Sequence, residues 1–191
     1  APTALNARYT IRDGTFQYAW LADIPAAATS TKHTTTETPP TGAVSITIFH
    51  TLGAVGTLSV DMYELIPGGS TPPPPPPTPT TMIKNPSFED DANADGQPDF
   101  WYQGSWGTHN ALFSYPAPGV DGVDAAKISM TSYTNGDAKW YFDEVSITAG
   151  TTYTVSNRYK ADVQTALTVR YTSAVGGVTY AFLSTAPASA A

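Results

Sequence analysis

The sequence predicts an all-β fold of jelly-roll sandwich modules in tandem, and three observations carry that expectation. Residues that favour strands and turns dominate, apolar residues recur at every second position in several short runs, and one stretch of sequence occurs twice. Composition comes first. Among 191 residues there are 17 Pro, 15 Gly and 11 Tyr, and only 13% are charged. Pro and Gly build turns and interrupt helices, while β-branched and aromatic side chains fit a pleated, half-buried surface. With 41% hydrophobic and 12% aromatic residues, the chain has enough apolar surface for a substantial core, which excludes wholesale disorder.

The strands are read from period-two alternation. Val44, Ile46 and Ile48 alternate with Ser45, Thr47 and Phe49, and Leu58, Val60 and Met62 alternate with Ser59 and Asp61. Residues 53–56, with a glycine at either end, turn between these runs. Further on, Tyr153 and Val155 alternate with Thr152 and Thr154, and Leu167, Val169 and Tyr171 with Ala166, Thr168 and Arg170. Ala149-Gly150 and Gly176-Gly177 mark turns. No amphipathic helix of eight or more residues is visible. Many short strands at near-regular spacing predict a two-sheet sandwich of the jelly-roll type.

The repeat has an offset of 162 residues. Thr3-Ala4-Leu5 and Arg8-Tyr9-Thr10 align with Thr165-Ala166-Leu167 and Arg170-Tyr171-Thr172. Gly14, Tyr18-Ala19, Leu21 and Pro25-Ala26 fall on Gly176, Tyr180-Ala181, Leu183 and Pro187-Ala188, giving 13 identities in 27 pairs without a gap. Between the copies lies a stretch that cannot join a sheet. Residues 67–81 (PGGSTPPPPPPTPTT) are rich in proline, which lacks an amide donor and holds a polyproline conformation. They predict a semi-rigid linker, about 3.1 Å per residue where prolines run together. Residues 1–66 are therefore read as the C-terminal part of one module, and residues 82–191 as the N-terminal part of the next. The strands that the second part lacks are those the first part has. Residues 30–66 are thus expected to complete the sheet of residues 82–191, in the same chain or in a neighbour.

Several function classes are disfavoured. Net charge is −7 with no basic run, which argues against a nucleic-acid partner. No apolar stretch approaches membrane-spanning length, so no membrane insertion is expected. With no cysteine there is no disulfide, thiolate metal site or cysteine nucleophile. The three histidines, His33, His50 and His109, form no HExxH pattern, and no Gly-x-Ser-x-Gly elbow is present. Of the adjacent acids, Asp90-Asp91 opens a polar loop, and Asp143-Glu144 precedes a strand whose alternation sends the two side chains to opposite faces. The expectation is a protein that is not an enzyme. The Thr-rich, Lys-poor composition and the proline tract favour a secreted or cell-surface location.

Residues 91–99 (DANADGQPD) form the sharpest chemical pattern. Asp91, Asn93, Asp95 and Asp99 stand at positions 1, 3, 5 and 9 around Gly96, matching the first nine residues of an EF-hand-type loop. Calcium takes six to eight hard oxygen ligands, and alternate residues of a tight loop can turn theirs inward. Tyr102 holds the place of the usual position-12 glutamate, so Glu89 or Asp90 would have to supply that carboxylate. The competing reading is a solvated Asp/Asn turn held by side chain-to-backbone hydrogen bonds.

Together, Asn85-Pro86-Ser87-Phe88-Glu89 at a module start, Gly96 followed by Trp101, and residues 145–156 (VSITAGTTYTVS) resemble the first half of a family 4/9 carbohydrate-binding module. Residues 39–46 (PPTGAVSI) and 56–61 (GTLSVD) resemble its closing strands. The resemblance implies a β-jelly roll of bacterial secreted proteins that binds polysaccharide without cleaving it, often appended to a catalytic domain in its parent. It also implies a structural Ca²⁺ near the Phe-Glu of the start and the Asp of the last strand. Glu89 and Asp61 stand at those positions, while Met62 replaces a second acid often present there.

Sugar recognition uses flat aromatic faces against C–H-rich ring faces, with amides, carboxylates and hydroxyls for the ring hydroxyls. Trp101, Tyr102, Trp106, His109, Phe113 and Tyr115 lie within fifteen residues, and Trp140-Tyr141-Phe142 form a second group with Asp137 and Lys139 beside it. Tyr18 and Trp20 alternate onto one face, matched by Tyr180 and Phe182. Trp106, flanked by Gly104 and Gly107, is the first candidate platform and Trp140 the second. Tyr102, His109, Tyr115 and Trp20 are further candidates, and Trp101 better suits the core, where sandwich tryptophans commonly sit. Two functional readings result. One is a non-catalytic polysaccharide-binding module in a tandem array. The other is a structural repeat of an extracellular fibre or adhesin, assembled by strand exchange with neighbouring modules of the same or an identical chain.

Overall fold

A computed structural model describes residues 9–10, 16–17, 30–68, 81–119 and 124–188. These residues contain eleven strands and no helix: β1 (Tyr9–Thr10), β2 (Phe16–Gln17), β3 (Thr31–Glu37), β4 (Ala43–Leu52), β5 (Gly56–Pro67), β6 (Trp101–Pro118), β7 (Asp124–Phe142), β8 (Val145–Ser146), β9 (Tyr153–Ala161), β10 (Thr165–Ser173) and β11 (Val178–Ala186). β1 and β2 form a two-stranded ribbon, and the other nine form one sheet. The path through that sheet is β11-β10-β4-β7-β5-β9-β3, with β6 on the outer side of β7 and β8 beside β4. Every pairing is antiparallel.

The strand order interleaves the two sides of the proline tract. β4 lies between β10 and β7, β5 between β7 and β9, and β9 between β5 and β3. No ladder joins β3, β4 and β5 to one another. Residues 31–67 and 101–186 thus share one sheet within one chain: residues 31–67 have no ladder among themselves, and residues 101–186 have only the β6–β7 and β10–β11 hairpins. The strand that makes this possible is β7. Ala126–Met130 pair with Val60–Gly56 of β5, whereas Ala138–Trp140 pair with Leu52–His50 of β4. The long β6–β7 hairpin therefore runs through both halves of a sandwich, and the Gly53–Val55 turn sits against its middle, with the Gly53 Cβ position 3.5 Å from the Gly136 carbonyl. At the far side β3 and β11 come together through the His33 Nε2–Ser184 Oγ hydrogen bond, so the sheet is nearly closed.

Alternation sends Ile46, Ile48, Leu58, Val60, Ile128, Trp140, Val155, Leu167 and Val169 into one core. At one end an aromatic cluster caps it. Phe88 lies 4.2 Å from Trp101 between ring centroids, and Tyr63 5.0 Å from Trp101. The Trp101 indole donates to the Asn85 carbonyl at 2.8 Å, the partner a buried indole N–H requires. Tyr63 reaches this cluster through a bulge. The β5–β9 register slips between Asp61 and Glu64, Met62 takes φ 50°, and Tyr63 N–H donates to the Pro86 carbonyl at 2.8 Å.

The interior also holds a polar thread. His50 on β4 contacts Thr165 on β10 at 2.5 Å, and its Nδ1 accepts from the Asn157 amide on β9 at 2.9 Å. With Nδ1 accepting, Nε2 carries the proton and donates to Thr165, so the ring is neutral. Burial pushes His33 down to about 4. His50 is held well below its ordinary value by burial first and by facing His33 second, against a smaller opposing contribution from Asn157.

This arrangement predicts acid sensitivity. A histidine whose folded pKa lies below its unfolded value of about 6.5 binds fewer protons folded than unfolded. Its contribution is therefore present above pH 6.5 and is lost as pH falls towards about 4. For His33 alone the loss between pH 6.5 and 5 is about 2 kcal/mol. Urea unfolding at pH 7.5, 6.5, 5.5 and 5.0 measures it. His33→Gln is expected to flatten the slope, and stability unchanged across this range would rule out two buried neutral histidines.

Candidate functional site

One outer face of the sandwich carries a groove of about 640 Å³ across β6, β7, β4, β10 and β11. Strand parity explains which side chains line it. On β7, Ala138, Trp140 and Phe142 point into the core, so Asp137, Lys139 and Tyr141 point out. On β10, Leu167, Val169 and Tyr171 are inside, leaving Thr168 and Arg170 on the groove. Cross-strand register then sets the neighbours. Tyr102 stands opposite Tyr141, Gly104 opposite Lys139, Trp106 opposite Asp137, and Arg170 opposite Tyr180.

Phe49 on β4 forms the floor. Its ring meets Tyr141 edge-on at 5.7 Å and Tyr180 at 6.0 Å, and the Lys139 ammonium lies 5.4 Å from its centroid. Tyr102 extends this aromatic surface, 5.5 Å from Tyr141. Trp106 rises at the rim, 61% exposed, with its indole N–H donating to Asp137 at 2.6 Å. That hydrogen bond holds the ring while most of its surface stays exposed. Gly104 leaves a gap between Tyr102 and Trp106. A Cβ there would lie 3.1 Å from the Tyr141 ring and 3.6 Å from Lys139.

Charges in the groove come as matched pairs. Lys139 bridges Asp137 at 2.5 Å, and Arg170 bridges Glu144 at 2.9 Å. Arg170 also lies over the Tyr141 ring at 5.5 Å, and its Nε is buried with no hydrogen-bond partner. Burial raises the Glu144 carboxyl, but hydrogen bonds from Ser45 and Thr172 and the Arg170 charge outweigh it, so Glu144 sits below its ordinary value. The surface thus offers aromatic faces interleaved with fixed donors and acceptors.

The predicted site residues fall in different places. Trp106 lines the groove, and Tyr102 adjoins it, its hydroxyl donating to Asp143 at 2.8 Å. Trp140 is fully buried and Trp101 nearly so, and neither offers a face to a ligand. The alternation that puts Trp140 inside puts Tyr141 outside. His109 lies further along the β6–β7 hairpin, half-buried beside the Asn135 carbonyl. Tyr115 belongs to the opposite half, where its hydroxyl donates to the Phe88 carbonyl at 2.7 Å. Trp20 lies outside the described residues. Phe49 and Arg170 are groove residues that sequence reasoning missed; strand pairing alone brings them beside Trp106.

The acidic loop is a separate feature. Asp91 accepts from the Asp95 and Gly96 amides at 3.2 and 3.1 Å, Asn93 from the Asp95 amide at 3.0 Å, Asp95 from Gln97 at 2.9 Å, and Asp99 from Ala92 at 3.2 Å. Asn85 ties the loop ends, its amide donating to the Asp90 and Asp99 carbonyls. These are the side chain-to-backbone bonds of a tight Asx-type turn. Glu89 accepts from the Asp124 amide at 3.1 Å, and Asp61 Oδ2 lies 3.1 Å from the Cβ position of Gly119. Asp61 and Glu89, from opposite sides of the proline tract, thus flank the same β6–β7 connection. Among the described residues, no group of three histidine or acidic side chains converges as a metal site.

Compared with known proteins, the chain matches no family model, no curated protein and no solved structure.

Proposed function

We propose that this chain is a non-catalytic carbohydrate-binding unit of a secreted or cell-surface protein, and that a polysaccharide lies along the groove over Phe49. The observation that carries this reading is the alternation of aromatic faces with fixed hydrogen-bonding pairs on one sheet face. Trp106, Tyr102, Tyr141 and Tyr180 present ring surface suited to the C–H faces of a sugar chain. Asp137–Lys139 and Glu144–Arg170 present paired acceptors and donors suited to adjacent hydroxyls. Both pairs are internally neutralised, which favours a neutral glycan over a charged one.

A glycosidase requires a carboxyl group raised towards neutrality as general acid. Glu144 is shifted the other way by its hydrogen bonds and by Arg170, so it does not have the character of such an acid. A jelly-roll module in a tandem array joined by the proline-rich linker fits the repeated sequence, with weak sites strengthened by effective concentration. Calcium as a structural ion belongs to the same reading, held at the 91–99 loop through Asp91, Asn93, Asp95 and Asp99, or where Glu89 and Asp61 flank the β6–β7 connection. An appended catalytic domain would be brought to its substrate by such a unit.

Affinity electrophoresis through gels containing soluble neutral polysaccharides tests the binding. Retardation by one glycan class is expected, with Trp106→Ala and Tyr141→Ala each weakening it about tenfold, roughly 1.4 kcal/mol. Gly104→Leu fills the gap beside Tyr141 and is expected to abolish retardation, with the Tyr141 ring pushed aside by a few tenths of an ångström and the unfolding midpoint slightly lowered. Mobility independent of every glycan would overturn the reading. Added calcium is expected to raise the thermal midpoint and EDTA to reverse the gain, and identical melting curves would remove calcium from it.

A further inference from the structure

We propose that this chain exchanges strands with a second copy of itself, residues 31–67 of each copy completing the sandwich of the other. Three independent observations lead there. The first is the interleaved sheet. β9 has only β5 and β3 as neighbours, and β4 and β5 are flanked by β10, β7 and β9. Residues 31–67 therefore form no sheet alone, and residues 101–186 are left as two hairpins and two strands, β8 and β9, without a neighbour. Any body of the same sequence offers an identical slot.

The second observation is that the repeat is structural as well as sequential. In the β1–β2 ribbon, Tyr9 pairs with Gln17 and Thr10 with Phe16. Adding the 162-residue offset gives Tyr171 with Thr179 and Thr172 with Val178, which are pairs of the β10–β11 hairpin. β1–β2 thus has the register of the hairpin that occupies the β4 edge. The described residues hold two versions of one sheet component and one set of β3, β4 and β5 for them to share. In this chain β1 lies against β11, and in a repeat array a second hairpin of the same register upstream of β3 would let modules trade closing strands.

The third observation is where the proline tract begins and ends. Gly68 N–H donates to the Thr152 carbonyl, Met82 N–H to the Leu65 carbonyl at 3.1 Å, and Leu65 N–H to the Thr81 hydroxyl at 3.1 Å. Closure within one chain requires the tract to leave the end of β5 and return beside the same strand. It contains Pro72–Pro77 in succession, which favour an extended segment of about 19 Å. A stiff connector made to return to its starting point favours the partner in which it runs straight, the usual setting for domain exchange.

Two full-length variants test the proposal by complementation. Leu58→Asp places a charge at a fully buried site in residues 31–67, and Val155→Asp does so in the body. Each alone is expected to remain unfolded. Refolded together, exchange joins the intact segment of one to the intact body of the other, giving a heterodimer by light scattering with about half the native near-ultraviolet signal. A mixture as unfolded as its components would overturn the proposal. With the unaltered protein, refolding at high concentration is expected to yield a dimer of native spectrum, and deletion of residues 69–80 to shift it wholly to dimer or larger closed assemblies. A shortened chain that stays monomeric and native would equally sink the idea. Glycan retardation of the exchanged dimer reports separately on the groove.

Discussion

The constraint on which everything else depends is the alternation of strand origin across the sheet. From β10 to β3 the strands come in turn from after and before the proline tract. A β-strand can satisfy its amides and carbonyls only through neighbours. For β3, β4 and β5 those neighbours are always on the far side of the linker. Most of the hydrogen bonding of residues 31–67 is consequently long-range, and the two segments acquire order together. The cost is slow closure of a non-local topology. The gain is that a segment of 37 residues is held along both edges of two of its three strands.

The groove inherits this constraint. Phe49, its floor, comes from β4, whereas Trp106, Tyr141, Lys139, Arg170 and Tyr180 come from β6, β7, β10 and β11. Neither segment contains the site, and the same pairing that completes the core assembles the surface. The register makes this reproducible. A one-residue slip of β7 would turn Trp140 outward and Tyr141 inward, but Trp140, Ala138 and Phe142 are all fully or almost fully buried, so the slip would expose the core. The core specifies the groove through the side-chain period of two.

Much of this was legible in the sequence, and the rest was hidden for a definite reason. Alternation in residues 44–49, 58–62 and 166–171 located β4, β5 and β10, and the position of the proline tract indicated which segment would complete which. Trp106, between two glycines, was legible as an exposed ring. The choice of Trp140 over Tyr141 rested on residue type, which says nothing about parity; the inward series Ala138, Trp140, Phe142 decides it. Phe49 read as the polar-phase member of an alternating strand, and Arg170 as part of a repeat. Nothing local marks either as a groove residue, because both meet Trp106 only through pairings across more than fifty residues of chain.

Interleaving and binding are also linked energetically. Because Phe49 and the groove walls arrive from different segments, a ligand that bridges them binds the joined state and not the separated one, and so stabilises joining by mass action. The buried histidines act in the opposite sense on the same equilibrium. His50 spans from β4 to Thr165 on β10 and Asn157 on β9, and His33 closes β3 against Ser184 on β11. Both contacts cross from one segment to the other, and burial disfavours the charged form of both imidazoles. Acid thus loosens the seams that a bound glycan chain would tighten. The proposed exchange of closing strands, the proposed occupancy of the groove and the protonation of two core histidines would all act on one equilibrium, the docking of residues 31–67 into the sheet.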